Sequence, residues 1–265
     1  MTQKIRTLSE ELNRNFKERG DEIAGSLLAM ISGEHILFIG PPGTAKSMLA
    51  REMCGCIDGG AFFYYLLTRF TTPDEIFGPL SLSSLQGDIF SRKVEGYLPS
   101  ANVSFLDEIF KANSSILNSL LTILNERRYH NGSEILDVPL ISVFGASNEL
   151  PEENESLEAL YDRFLFRYYI GYVQDETNFV ELIMGHAEDF EPSVRLTIDE
   201  IEAAQRGAAG VDIDDDVLDA IVTLRKEFRS SGVSISDRRW KKMVWVMKVA
   251  AHGLNSTPRR RASRP

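Results

Sequence analysis

At 265 residues, 43% hydrophobic and 26% charged, the chain has apolar material for one large and one small core. No stretch reaches the roughly eighteen apolar residues of a membrane helix, and Met1-Thr2-Gln3-Lys4-Ile5-Arg6 lacks the apolar centre of a signal peptide. The expectation is a cytoplasmic protein without a membrane span, and a net charge of −10 disfavours nucleic acid as a partner because phosphate-tracking proteins usually present a basic face.

In chain order, Ile5, Leu8, Leu12 and Phe16 recur at helical spacing, and Ile23 to Ile31 predicts a second helix that Gly33 ends. Ile36-Leu37-Phe38-Ile39 reads as a short apolar strand. It runs into Gly40-Pro41-Pro42-Gly43-Thr44-Ala45-Lys46-Ser47, and a helical pattern follows from Met48 through Met53. Strand, glycine-rich turn, Lys-Ser and helix is the context of a nucleoside-triphosphate loop, which an ordinary Gly/Pro turn would not need. The backbone of such a turn and the positive helix start cradle phosphates. Pro42, Gly43, Thr44, Ala45, Lys46, Ser47 and Met48 are therefore the candidate nucleotide-binding residues. Lys46 would neutralise the outer phosphates, and Ser47 would offer its hydroxyl to Mg²⁺. Ala45 stands where the last glycine of the pattern usually sits, and its methyl fits only if the backbone there needs no positive φ.

Cys54 and Cys56 flank a single glycine, too close for a zinc knuckle, and read as reduced thiols. The four histidines (His35, His130, His186, His252) show no ligand spacing, so no metal beyond nucleotide Mg²⁺ is expected. Phe62 to Leu67 is nearly all apolar, as a parallel strand covered on both faces should be. Ser81 to Pro99 is less regular, with a turn at Gln86-Gly87-Asp88 that would suit a surface hairpin. Val103-Ser104-Phe105-Leu106-Asp107-Glu108 then ends an apolar strand in two acids. Asp107 would hold Mg²⁺ through its water shell and Glu108 would activate the attacking water; as an alternative, both acids would cap the following helix. Asn131-Gly132 predicts a two-residue type I′ hairpin. Leu140 to Asn148 is a further strand, and Asn148 at its carboxyl end should face the same crevice as Asp107, unless it merely starts the turn into Pro151.

These runs resemble the MoxR group of AAA+ ATPases, as do Ser119 to Arg128, Ala146 to Pro151 and Leu157 to Phe164. Thr68 to Pro73 and Ile76 to Leu80 resemble the RavA-like branch more narrowly. The likeness spans about residues 10 to 252, and Ala45 is itself typical of the group. It implies an α/β fold: a three-layer P-loop NTPase core with a parallel sheet, then a small all-helical lid. It also implies a homo-oligomeric ring, usually a hexamer, with ATP bound between subunits. Arg163 matches the arginine finger that reaches a neighbour's site, with Arg167 in reserve; a surface arginine paired with Asp162 or Glu158 is the plainer reading. Arg238, or Arg239 beside it, matches a lid arginine that usually touches the γ-phosphate of its own subunit; otherwise Ser236 or Asp237 caps a helix and the arginines are solvated. The Arg19 to Gly25 stretch would lie over the adenine, and the inserted segments would face the pore or a partner.

After about residue 175 the pattern turns helical. Val217, Leu218, Ile221, Val222, Leu224 and Phe228 suit one amphipathic helix, Trp240, Met243, Val244 and Met247 another, and Gly232 breaks between them. The expected division is a core over 1–173, a lid over 174–254 that closes over the nucleotide, and a basic, disordered tail over 255–265. The resemblance further implies Mg²⁺-dependent hydrolysis of ATP to ADP, coupled to remodelling of protein clients with a von Willebrand factor A-type partner. RavA-like proteins usually continue beyond the lid, so a short or truncated member is expected. A chelatase-type motor, a nucleic-acid motor and a nucleotide-gated scaffold with little turnover remain as other readings.

Overall fold

A computed structural model describes residues 1–87, 90–151, 155–184 and 190–254. Five strands form one parallel sheet in the order β2-β3-β6-β1-β7: β1 (His35–Ile39), β2 (Phe62–Leu66), β3 (Val103–Asp107), β6 (Ser142–Ser147) and β7 (Phe164–Tyr169). The central strands are apolar on both faces because helices cover both. Ile36 and Phe38 of β1 pack toward α1 (Thr2–Asn15), α2 (Gly20–Ser32) and α3 (Lys46–Gly55). Leu37 packs the opposite way, toward α4 (Pro73–Phe77), α6 (Ser114–Glu126) and α7 (Glu155–Arg163). The helix periods read from Ile5 to Phe16 and Ile23 to Ile31 are both present, and Gly33 at φ 72 stops α2.

Strand β2 departs from expectation. It is the sheet's edge, and Tyr64 and Leu66 stay nearly half exposed. The Tyr64 ring finds its cover in Phe105, stacked at 5.7 Å. The segment after α4 forms a helical turn, α5 (Leu82–Leu85), closed by an antiparallel bridge between Leu80 and Arg92, rather than a plain hairpin. Asp88 of the predicted turn lies outside the described residues.

The hairpin β4 (Arg128–Asn131) and β5 (Glu134–Asp137) is where the sequence puts it, but its turn is shifted by one residue. Asn131 pairs with Glu134, leaving Gly132 and Ser133 as the loop, and Gly132 alone holds a positive φ. A type I′ turn needs two such residues, so that expectation fails. The Asn131 side chain is used otherwise: it accepts from Arg92 N at 2.6 Å and donates to Arg92 O at 3.1 Å, joining the hairpin to the preceding insert.

Among the described residues four further helices follow: α8 (Glu176–Met184), α9 (Ile198–Ala209), α10 (Asp215–Ser230) and α11 (Asp237–Leu254). Thr197 and Glu200 form a capping box that starts α9. Buried side chains of α9 and α11 merge with those of α1 and α2 into one core, while α8 and α10 bury none. The helical segment therefore shares the main core, where a separate small core was expected. Residues 255–265, read as a tail, lie outside the described residues.

Candidate nucleotide site

The glycine-rich turn joins β1 to α3 at the carboxyl edge of the sheet. Gly40 N donates to Ser147 O at 3.0 Å, tying the turn to β6, and a side chain at Gly40 would collide with Ile170 O. Gly43 holds φ 78, and a methyl added there would project into open space above the turn. Thr44 Oγ1 donates to Pro41 O at 3.0 Å. Ala45 sits at φ 63 immediately before α3, so the backbone does need the positive φ that its methyl disfavours. Lys46 is buried and donates from Nζ to Gly40 O and Pro41 O at 2.6 and 2.8 Å. Burial lowers its pKa, against the pull of Asp107 and Glu108. Ser47 and Met48 are exposed on the first turn of α3.

Asp107 ends β3, and its Oδ1 accepts from Glu108 N at 2.9 Å. Burial raises the Asp107 pKa, while Lys46 and Lys111 act to lower it. Glu108 adopts φ 52 and begins a 3-10 turn over Ile109–Lys111 without a side-chain cap, so the plainer capping role is not what it performs. Its Oε1 accepts from Asn148 Nδ2 at 2.5 Å, and its Oε2 pairs with Lys111 Nζ at 3.3 Å. The fold thus gathers Lys46, Asp107, Glu108 and Asn148 at one sheet edge. Arg19 reaches the same edge, donating to Gly171 O just past β7. Ser47 and Asp107 offer oxygen donors that suit Mg²⁺, and Lys46 with the turn's open backbone suits phosphate; the residues present fit a magnesium nucleotide.

Arg163 lies elsewhere. It ends α7 and immediately precedes β7, whose first residue Phe164 pairs with His35, so it stands at the amino edge of the sheet. A five-residue strand is about 16 Å long, which separates it from the phosphate turn. Its Nη1 donates to Ala159 O at 3.3 Å and lies 3.8 Å from Asp162, while Nε is buried without a partner among the described residues. Burial and then the Arg238 charge lower its pKa. Arg167 is spent on structure: it donates to Phe164 O and Tyr161 O and stacks 3.4 Å over the Tyr161 ring.

Arg238 opens α11 two residues after Ser236, whose Oγ donates to Asp162 next to Arg163, so it stands toward the amino edge of the sheet, away from Lys46. Three contacts hold α11 there: Ser236 Oγ to Asp162 at 3.3 Å, Lys242 to Glu34 at 2.5 Å, and Trp245 Nε1 to Ser32 O at 2.8 Å. A touch on its own subunit's γ-phosphate, as first read, does not fit that placement. Ser236 caps α11 by accepting from Arg239 N at 3.3 Å. The thiols Cys54 and Cys56 are buried, which pushes them up to about 11 and about 12 and keeps them protonated. Lys111 escaped the sequence reading, although a cation three residues after the second acid was there to be noticed.

A family model described as the MoxR domain in the MoxR-vWA-beta-propeller ternary systems matches residues 3–205, and one described as an AAA lid domain matches residues 216–255. Two proteins of Methanocaldococcus jannaschii described as uncharacterized, MJ0079 and MJ0812, are each 49% identical over 94% and 95% of this chain. The chain spans 65% and 66% of their lengths. The structural protein ORF618 of Acidianus two-tailed virus is 29% identical over 78% of the chain and 35% of its own length. A crystal structure of a candidate ATPase from Cytophaga hutchinsonii shares the fold, with a TM-score of 0.77 at 19% identity over 95% of this chain and 80% of that one. With one model covering most of its length and the lid model the remainder of its helices, the chain belongs to the MoxR family of AAA+ ATPases.

Proposed function

We propose that copies of this chain hydrolyse ATP to ADP and phosphate at sites shared between neighbours in a ring, a hexamer being the family's usual form. The observation that carries the reading is the Glu108 carboxylate bonded to the Asn148 amide, one residue from Asp107 and within charge range of Lys46. In it, Lys46 and the turn backbone hold the phosphates, and Ser47 and Asp107 hold Mg²⁺, which when bound neutralises charge on the phosphates. Glu108 takes a proton from the attacking water, and Asn148 orients the pair. Arg163 and Arg238, together at the far edge, serve the next copy's phosphates. That assignment is supported by an Arg163 Nε buried with no partner among the described residues, and by the anchoring of Ser236 on Asp162, which brings the start of α11 and Arg238 to the same edge.

The energy would drive remodelling or assembly of other proteins in the cytoplasm. A von Willebrand factor A-type partner is supported by the systems that give the matching family model its name. Thr68 to Pro73 and Ile76 to Leu80 support the RavA-like branch. Steady-state hydrolysis against protein concentration tests the core of the reading. Specific activity should rise with concentration, and Glu108→Gln should lower kcat by about 10²-fold or more while still binding nucleotide. Activity that is flat with concentration and indifferent to Glu108→Gln would reject it.

A further inference from the structure

Glu108 does not hold its carboxylate free. Oε1 takes the Asn148 amide and Oε2 faces Lys111 Nζ. The 3-10 turn explains the second contact: Lys111 N donates to Glu108 O at 2.8 Å, which folds the lysine back over the acid three residues before it. The Glu108 side chain is 11% exposed and that of Lys111 46%, so a buried base lies under an outer cation. At 2.5 Å the amide leaves no room for a water between itself and Oε1. A general base needs an oxygen aimed at the water's proton, and here each oxygen already has a partner beside it, the amide on Oε1 and the ammonium near Oε2. Beside the pair opens a cavity of about 420 Å³, lined by Arg69, Phe110, Asn113, Glu149 and Leu157 as well as Lys111 and Glu108. It gives the lysine somewhere to go and a second carboxylate to meet. Lys111, 46% exposed, is the member of the pair that water can solvate when it leaves.

We propose that Lys111 is a positioning residue that restrains Glu108, pinning the carboxylate against Asn148 until the lysine swings into the adjoining cavity. The inference rests on the reading of Glu108 as the group that activates water. Asn148 alone then holds Glu108 by one oxygen, and the other turns to the substrate water. The restraint makes turnover depend on whatever fills or reshapes the cavity under Arg69 and Leu157.

The test is steady-state hydrolysis by the whole chain, wild type beside Lys111→Met, Lys111→Gln, Lys111→Arg and Glu108→Gln. Lys111→Met and Lys111→Gln should raise kcat about threefold or more with KM for ATP unchanged, and Lys111→Arg, which keeps the cation, should stay near wild type. Without nucleotide, Lys111→Met should shift the urea midpoint in the wild-type background and not in Glu108→Gln. The restraint is overturned if both neutral variants keep or lose kcat, or if the unfolding cycle is additive. Glu108→Gln hydrolysing as fast as wild type is a different result: it removes the water-activating role, and the restraint with it.

Discussion

Ala45 carries a cost that its neighbours do not. A methyl at φ 63 meets the steric penalty that glycine avoids, and the turn accepts it because Lys46 must start α3 at that point. Ala45→Gly should raise the unfolding free energy by about 1 kcal/mol, the relief of strain outweighing the extra freedom of an unfolded glycine. Urea unfolding measures it, and a loss of stability would show that the alanine methyl is packed rather than strained. The gathering of Lys46, Asp107, Glu108 and Asn148 at one sheet edge was legible because each ends or follows a strand that the apolar pattern reveals. What could not be read was φ at Ala45, since one residue type occupies both backbone regions at different cost. Lys111 was harder to single out, because an acid and a lysine three residues apart are common on solvated surfaces and only the turn after β3 shows that this pair meets beside a strand end.

The helices and strands form a latch at the amino edge of the sheet. Arg127, at φ 55 as the C-cap of α6, donates to Gly33 O and Leu124 O at 2.6 Å each. His35 is fully buried, and burial, then Arg127, hold its pKa well below the usual histidine range, so it stays neutral; its Nδ1 accepts from Val143 N at 3.0 Å. Glu34, next to it, pairs with Lys242 of α11. This end of the molecule therefore joins α2, α6, β1, β6 and α11, and the lid model's last helix is bound to the core. Lys242→Met would strand the Glu34 carboxylate, 10% exposed, and should cost about 2–4 kcal/mol, with Glu34→Gln added on top recovering most of it. Urea midpoints of the single and double variants check this; equal loss in both would mean that the pair contributes nothing of its own. The apolar period revealed α10 and α11 but could not say which would be buried, because amphipathic spacing is the same for a helix on a core and for α10, whose Leu218 and Val222 stay nearly half exposed.

Across the whole molecule, the residues proposed for the chemistry fall at opposite edges of one sheet. Lys46, Asp107, Glu108 and Asn148 stand at the carboxyl ends of the strands, and Arg163 with Arg238 at the amino ends. Parallel strands make this unavoidable: a residue just before β7 lies a full strand length from one just after β1. In the proposed ring a single copy would hold one half-site of each kind, and neighbouring copies would bring unlike halves together. The sequence could suggest that Arg163 serves a neighbour, but the same for Arg238 comes only from where α11 is anchored.

The most direct test mixes two inactive chains. Lys46→Ala keeps the arginines and loses the phosphate grip, and Arg163→Ala does the reverse. If sites are shared, each alone is dead and an equal mixture regains about a quarter of wild-type activity, the fraction of interfaces that unite two intact halves. A mixture as inactive as its components at every ratio, or an Arg163→Ala chain as active as wild type on its own, would contradict the account.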